Sequence, residues 1–251
     1  MTRLQTREVE TDRDLQHFFD EAALDYVDQH GNPEKLLAYR LSIIRSLVGE
    51  EGAGTLLEIG CGTGIHLFSL TDCFDLLMGT DISPLMIEQA SKTRERSAAS
   101  ERVRLEVDRA EELSTVPDET VDCVLCVGAF EHMLDKLAVV QQVQRVLRPG
   151  GAFVCLTPNG DYLWYRLIAP ILGFETRHLS TDRFMSLPSI RKLLAETSLV
   201  LCREGCWTFV PRGDIPGLIS ALLASVDLVG RVLSLPSCRG GVYFRAIKSG
   251  W

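Results

Sequence analysis

Three glycines at alternate positions, Gly60, Gly62 and Gly64, follow the apolar run Leu56-Leu57-Glu58-Ile59, and a helix-like segment starts at Ile65. Seventeen residues after the last glycine, a second apolar run, Leu76-Leu77-Met78, ends in Gly79-Thr80-Asp81. Lacking a Cβ, glycine lets the backbone bend sharply and lets a ligand approach it closely. A carboxylate closing the neighbouring strand can accept hydrogen bonds from ribose hydroxyls. The pair therefore reads as a grip for a nucleoside at the edge of a doubly wound sheet.

The loop departs from the Gly-x-Gly-x-x-Gly of dinucleotide sites. Ile65 stands where the third glycine would be, and that glycine comes one residue early, at Gly64. Glu58, just before the loop, would repel a pyrophosphate and suits a ligand with a cationic end. S-adenosylmethionine, with its sulfonium and amino group, fits this loop better than NAD does.

Six segments extend the pattern in order: Leu-Glu-Ile-Gly-Cys-Gly-Thr-Gly (57–64), Gly-Thr-Asp-Ile-Ser (79–83), Ala-Glu-Glu-Leu (110–113), Pro-Asp-Glu-Thr-Val-Asp (117–122), Phe-Glu-His-Met (130–133) and Arg-Val-Leu-Arg-Pro-Gly-Gly (145–151). On these segments, over about residues 56–158, the chain resembles the class I S-adenosylmethionine-dependent methyltransferases, especially the quinone-biosynthesis and natural-product branch. The resemblance implies that Glu58, Gly60, Cys61, Gly62 and Gly64 lie under the methionine part of the cofactor. It implies that Asp81 binds both ribose hydroxyls and that Ile82 packs on the adenine. Cys126, Val127 and Gly128 would meet the amino group through their backbone. The family's aspartate for the adenine amino group is replaced here by Arg109, and the segment after Leu113 carries one extra residue. That loop must be reshaped, with Ala110 in the usual place and either Asp108 or Glu111 taking the amino group. A tyrosine on the N-terminal helices commonly closes over the cofactor in this family, which singles out Tyr26, with Tyr39 as a second candidate.

Methyl transfer from a sulfonium is an in-line displacement with a good leaving group. The protein's task is alignment and exclusion of water, in keeping with a sequence that shows neither a nucleophilic triad nor a metal-ligand set. A hydroxyl or ring-carbon acceptor would benefit from a general base. His132 and His178 are the candidates, against the plainer readings of a helix-start hydrogen bond and a surface histidine.

These residues need a frame. Strands are expected at 55–60, 75–80, 103–107, 121–127, 152–157, 199–210 and 241–248. Helices are expected near 65–70, 84–93, 134–147, 188–197 and 217–235. Strand–helix alternation implies parallel pairing with right-handed crossovers. The expected fold is an α/β, doubly wound, Rossmann-like sheet of seven strands, mostly parallel with an antiparallel last strand. Residues 1–50 would form a helical cap. Residues 51–251 would form the cofactor-binding domain, with insertions at about 161–186 and 211–240. Ser83-Pro84 offers a helix N-cap, and Pro149-Gly150-Gly151 would turn the long helix into the next strand.

The net charge of −8 argues against nucleic acid as a partner. The start of the chain reads as neither signal peptide nor anchor. The eight cysteines read as reduced thiols in a cytoplasmic protein: Cys123 and Cys126 must face opposite sides of one strand, and Cys202 and Cys206 lack zinc spacing. The apolar segment 217–235 reads as a cap or dimer helix, with an Asp227–Arg231 pair on its surface; peripheral membrane contact is the alternative, ahead of a transmembrane span. Trp164, Tyr165, Ile168 and Ile171 add apolar surface, so the expected partner is a small, hydrophobic or lipid-like acceptor methylated at O, N or C. The rival functions are a non-catalytic S-adenosylmethionine binder and an NAD-dependent oxidoreductase.

Overall fold

The computed structural model describes residues 6–23, 33–48, 54–208 and 217–250. Seven strands form one sheet in the order β3-β2-β1-β4-β5-β7-β6: β1 (Thr55–Ile59), β2 (Leu76–Asp81), β3 (Val103–Val107), β4 (Val121–Val127), β5 (Leu147–Pro158), β6 (Leu199–Trp207) and β7 (Gly241–Lys248). The first five pair in parallel. β7 inserts antiparallel between β5 and β6.

Side chains alternate along each strand, and the two apolar faces belong to two cores. On one face Leu57, Ile59, Val124 and Cys126 pack with α5 (Lys136–Val146) and α7 (Leu187–Leu194). On the other, Leu56, Cys123, Leu125 and Val127 pack with α2 (Pro33–Val48), α3 (Ile65–Phe68) and α4 (Pro84–Glu95). Cys123 and Cys126 thus face opposite sides. Double burial explains why β1 reads as an unbroken apolar run with one acid in it.

The local signals act as their chemistry dictates. The Ser83 hydroxyl accepts from the Met86 N–H at 3.1 Å, and Pro84 opens α4. α5 stops at Val146, but the chain is already paired at Leu147, opposite Val121. The strand therefore begins five residues earlier than the turn signal suggests. A register irregularity between Val121 and Cys123 absorbs Pro149 and Gly150, the latter at φ 81°.

The first fifty residues divide in two. α1 (Asp12–Ala22) is closed by a Thr11–Asp14 capping box and lies with Val9, Leu179, Ile82 and Leu134. α2 instead buries Ile44 and Leu47 in the sheet core. Tyr39, on α2, packs against Trp207, and its hydroxyl accepts from the Thr208 N–H at 3.1 Å.

The segment after β5 winds as a wide π turn (Trp164–Ile168) and one α turn, α6 (Ala169–Ile171). It meets α8 (Gly217–Val232) in a small core of Tyr162, Trp164 and Leu223. Part of the apolar surface of these two segments is thus buried between them, while Leu167, Ile171, Leu222 and Val232 stay exposed. Asp227, expected to pair with Arg231, turns inward: its carboxylate takes the Arg239 Nε–H at 3.1 Å and the Thr208 hydroxyl at 2.8 Å. Among the described residues no helix is long and apolar enough to cross a membrane. Cys61, Cys123, Cys126 and Cys155 are buried, whereas Cys202 is exposed.

Candidate functional site

The carboxyl ends of β1 to β4 converge on one cavity, where open α/β sheets hold their ligands. Gly60 and Gly62 reach it from β1, Asp81 and Ile82 from β2, Asp108, Ala110 and Glu111 from β3, and Gly128 and His132 from β4. Leu15, Phe19, Met86, Ala129 and Met133 complete the wall and had no signature in the sequence beyond their apolar character. The void among them measures about 70 Å³.

The glycine loop and Asp81 are one unit. Gly60, Gly62 and Gly64 all take positive φ, at 64°, 53° and 79°, where a side chain is strained. A Cβ on Gly60 would lie 2.5 Å from the Ala129 Cβ. Asp81 Oδ2 accepts from the Gly62 N–H at 2.8 Å, and Oδ1 from the Ser83 N–H at 2.9 Å. Burial pushes the Asp81 pKa up to about 6 against those two backbone bonds, and the Glu58 charge adds to the rise. Gly60→Ala is expected to lower the melting temperature by roughly 2–8 °C, from about 1–2 kcal/mol of backbone strain in a chain of this size, and to weaken nucleoside binding; a thermal melt and a titration read both.

Several expected residues lie outside the lining. Glu58 is fully buried one step below the cavity; Oε1 sits 3.2 Å from His66 Nδ1, and Oε2 has no partner among the described residues. That orphaned acceptor, beside glycines whose backbone is bare, fits a ligand that brings a cationic donor. The Cys61 side chain is buried and its N–H donates to Thr80 O at 3.0 Å. Gly64 caps α3. Cys126 and Val127 are buried in opposite cores. Tyr26 falls outside the described residues.

The loop after β3 is pinned around Asp108. The Asp108 carboxylate accepts from the Arg109 N–H, the Ser114 hydroxyl, and both the N–H and hydroxyl of Thr115, at 2.6–3.2 Å. Leu113, fully buried, turns the chain with φ 42°. Glu111 keeps more acceptor capacity, because only the Leu134 N–H, at 3.0 Å, occupies its Oε1. Arg109 pairs with Glu112 in its own loop at 2.7 Å and also reaches α1, pairing with Asp12 at 2.8 Å. The other end of α1 is tied by Asp20, which takes the Ser83 hydroxyl at 2.5 Å.

His132 is the histidine of the wall. Its Nδ1 lies 2.6 Å from Asp182 Oδ1, and its Nε2 lies 4.0 Å from Glu131 Oε1. Asp182 is fully buried, and its Oδ2 accepts from the His178 and Leu179 N–H groups at 2.9 and 3.0 Å. A carboxylate accepting at Nδ1 holds the ring with its lone pair on Nε2. Burial opposes the charged ring, yet the Asp182 bond and the Glu131 and Asp182 charges hold its pKa above the usual histidine value. Phe19 packs edge-on against the ring at 5.3 Å. The His178 ring is 6.4 Å from that of His132 and outside the lining. Asp182, fifty residues from its partner, lies in no motif that would have singled it out.

A family profile described as a methyltransferase domain matches residues 57–155. The chain is 30% identical over 179 residues to the demethylmenaquinone methyltransferase of Bacillus licheniformis, covering 69% of this chain and 70% of that one. It is 35% identical over 109 residues to the 27-O-demethylrifamycin SV methyltransferase of Amycolatopsis mediterranei, covering 43% of this chain and 38% of that one. Of three curated relatives it matches, the chain spans 50%, 38% and 49% of their length. The fold resembles the crystal structure of the [4+2]-cyclase SpnF, with a TM-score of 0.71, 15% identity and 99% of each chain covered. With its matched segment holding the glycine loop, Asp81 and His132, the chain belongs to the S-adenosylmethionine-dependent methyltransferase family.

Proposed function

We propose that this chain transfers a methyl group from S-adenosylmethionine to an O, N or C atom of a small, largely hydrophobic acceptor. The observation that carries the reading is the shared cavity: a nucleoside grip at Gly60, Gly62 and Asp81 on one side, and His132, fixed by Asp182, on the other. When bound, the cofactor supplies an electrophilic methyl on a cationic sulfur. Asp81 would take the ribose hydroxyls, Ile82 would pack on the base, and Glu111 would take the adenine amino group, since Asp108 is engaged in its own loop. Gly128 and its neighbours border the methionine end, and the Glu58 carboxylate stabilises its positive charge. Where the acceptor carries a hydroxyl, its oxygen would bond to the methyl carbon as the carbon–sulfur bond breaks and the bonding pair leaves with sulfur as a neutral thioether; the hydroxyl proton would pass to His132 Nε2, and Asp182 would stabilise the resulting imidazolium. Phe19, Leu15 and Met133 exclude water from this step.

The present void is smaller than the roughly 300 Å³ at which small-molecule sites begin. We take α1 as a lid that draws back to admit ligands and closes through Asp12–Arg109, Asp20–Ser83 and Phe19–His132. The preference for a hydrophobic acceptor rests on the apolar majority of the cavity wall. The buried free thiols fit a cytoplasmic setting. The exposed Leu222, Val232 and Leu233 along and after α8 suit a dimer face or peripheral membrane contact.

The test is transfer of isotope-labelled methyl to an acceptor panel. Label is expected on long, apolar hydroxylated acceptors in preference to short polar ones. Equal turnover of both would remove the hydrophobic preference. Absence of transfer to every acceptor, together with absence of cofactor binding, would remove the enzyme.

A further inference from the structure

A second cleft, of about 460 Å³, opens where the segment after β5 meets the loop that carries Asp182. Three arginines, Arg166, Arg177 and Arg183, line it with Tyr165, Phe184 and Thr176. Such a concentration of positive charge is notable in a chain of net charge −8. Arg166 pairs with Asp161 at 3.3 Å on an exposed rim. The guanidinium groups of Arg177 and Arg183 make no ion pair among the described residues. The rings of Tyr165 and Phe184 pack 4.7 Å apart, tilted by 48°, and form an aromatic wall.

The cleft adjoins the methyl-transfer cavity through the backbone. Asp182, which holds His132, is followed directly by Arg183, whose N–H donates to Glu131 O at 3.0 Å. Burial lowers the pKa of Lys136, and the nearby Arg183 charge lowers it further, so this guanidinium lies within electrostatic reach of the Glu131–His132 turn. On the opposite wall Gly160 donates to Met185 O at 3.1 Å. A Cβ there would fall 2.4 Å from Phe184 O, so the two walls are held in close register.

We propose that this cleft binds a phosphoryl group, mono- or diphosphate, carried by the acceptor, while the acceptor's reactive atom reaches His132. Guanidinium groups match phosphate oxygens in a two-bond fork and stay charged at any working pH. Three of them with one carboxylate leave a surplus of positive charge that a multiply charged oxyanion neutralises better than a single carboxylate does. Tyr165 and Phe184 offer the first carbons beyond the anion an apolar wall. The position of the reactive atom rests on the methyltransferase reading; the anion site does not.

Titration of the full chain with inorganic pyrophosphate, and separately with acetate, tests the site. Pyrophosphate is expected to bind about tenfold or more tightly than acetate, and to weaken as NaCl rises from about 50 to about 200 mM. R166Q/R177Q/R183Q should lose about tenfold or more of that affinity while binding S-adenosylmethionine as the parent does. If the triple variant melts without cooperativity, Arg177→Gln and Arg183→Gln singly should each lose about threefold. Equal binding of acetate, unchanged affinity in the variants, or a parent that binds S-adenosylmethionine but not pyrophosphate would overturn the site. A parent that binds pyrophosphate but not S-adenosylmethionine would leave the site standing and overturn the methyltransferase reading instead.

Discussion

Asp81→Asn is expected to weaken S-adenosylmethionine binding about a hundredfold or more while the protein stays folded. Two ribose hydroxyls donating to a buried carboxylate are charge-assisted bonds of about 1.5–3 kcal/mol each, or roughly two to four powers of ten together. An amide keeps the shape but loses the charge and one acceptor. It would also meet either the Gly62 or the Ser83 N–H with a donor, loosening the glycine loop. The same residue sets a pH dependence. Burial raises its pKa to about 6, against about 3.9 in an unfolded chain. Between those values the folded state holds a proton that the unfolded chain has released, so this residue's contribution to stability falls as pH rises through the window. Ligand hydroxyls favour the anion, so the sign for binding is opposite. Affinity should be full above about pH 6 and drop by up to tenfold per unit below it, with a proton released to solution on binding near and below that pH. Calorimetry in two buffers of different ionisation enthalpy reads both. A pH-independent affinity, or a tight-binding Asp81→Asn variant, would remove Asp81 from the cofactor site.

The parts legible in the sequence are those whose physics is local. The glycines and Asp81 stand close in sequence, on strands whose apolar runs reflect burial on both faces. The parallel sheet follows from their alternation with helices, and β7 lies antiparallel between β5 and β6, as the family resemblance implied for the last strands. Non-local choices stayed hidden. Asp182 meets His132 only because the loop after α6 returns over the carboxyl end of β4, where Arg183 N–H donates to Glu131 O, and no spacing encodes that. Arg109, an anomaly against the family pattern, pairs locally with Glu112 and adds a second partner in Asp12, ninety-odd residues away. From composition alone the apolar stretch at 161–174 reads as surface beside the pocket, and the 217–235 segment as a cap or dimer helix. Their helical turns fold Tyr162, Trp164 and Leu223 into a shared core and leave Leu167, Ile171, Leu222 and Val232 exposed, and it is arginines beside the aromatics that face a cleft. Hydrophobicity told that surface would be buried without telling against what.

For an acceptor with a hydroxyl, His132→Asn is expected to lower kcat by about 10²–10⁴-fold, the usual range for a positioned general base, with KM for S-adenosylmethionine little changed. Asparagine spans much of the ring's volume and can still meet Asp182, but it offers no basic nitrogen at the Nε2 position. Asp182→Asn is a subtler probe because Asp182 touches neither reactant. Its amide would present either a donor to the His132 Nδ1 side or a donor to the His178 and Leu179 N–H groups, so the ring loses its enforced tautomer. Here a drop of about 10- to 100-fold in kcat is expected. The pH profile separates positioning from mere structure. In the parent, His132 must be neutral to accept a proton, so kcat falls on the acid side of a pKa held above the ordinary histidine value by Asp182 and Glu131 despite burial. In Asp182→Asn the hydrogen bond and charge that raise that pKa are gone while burial remains, so the acid limb should move to lower pH. A loss of kcat with the limb unmoved would make Asp182 a fold-holding residue only, and a His132→Asn enzyme as fast as its parent would mean that the acceptor atom needs no base.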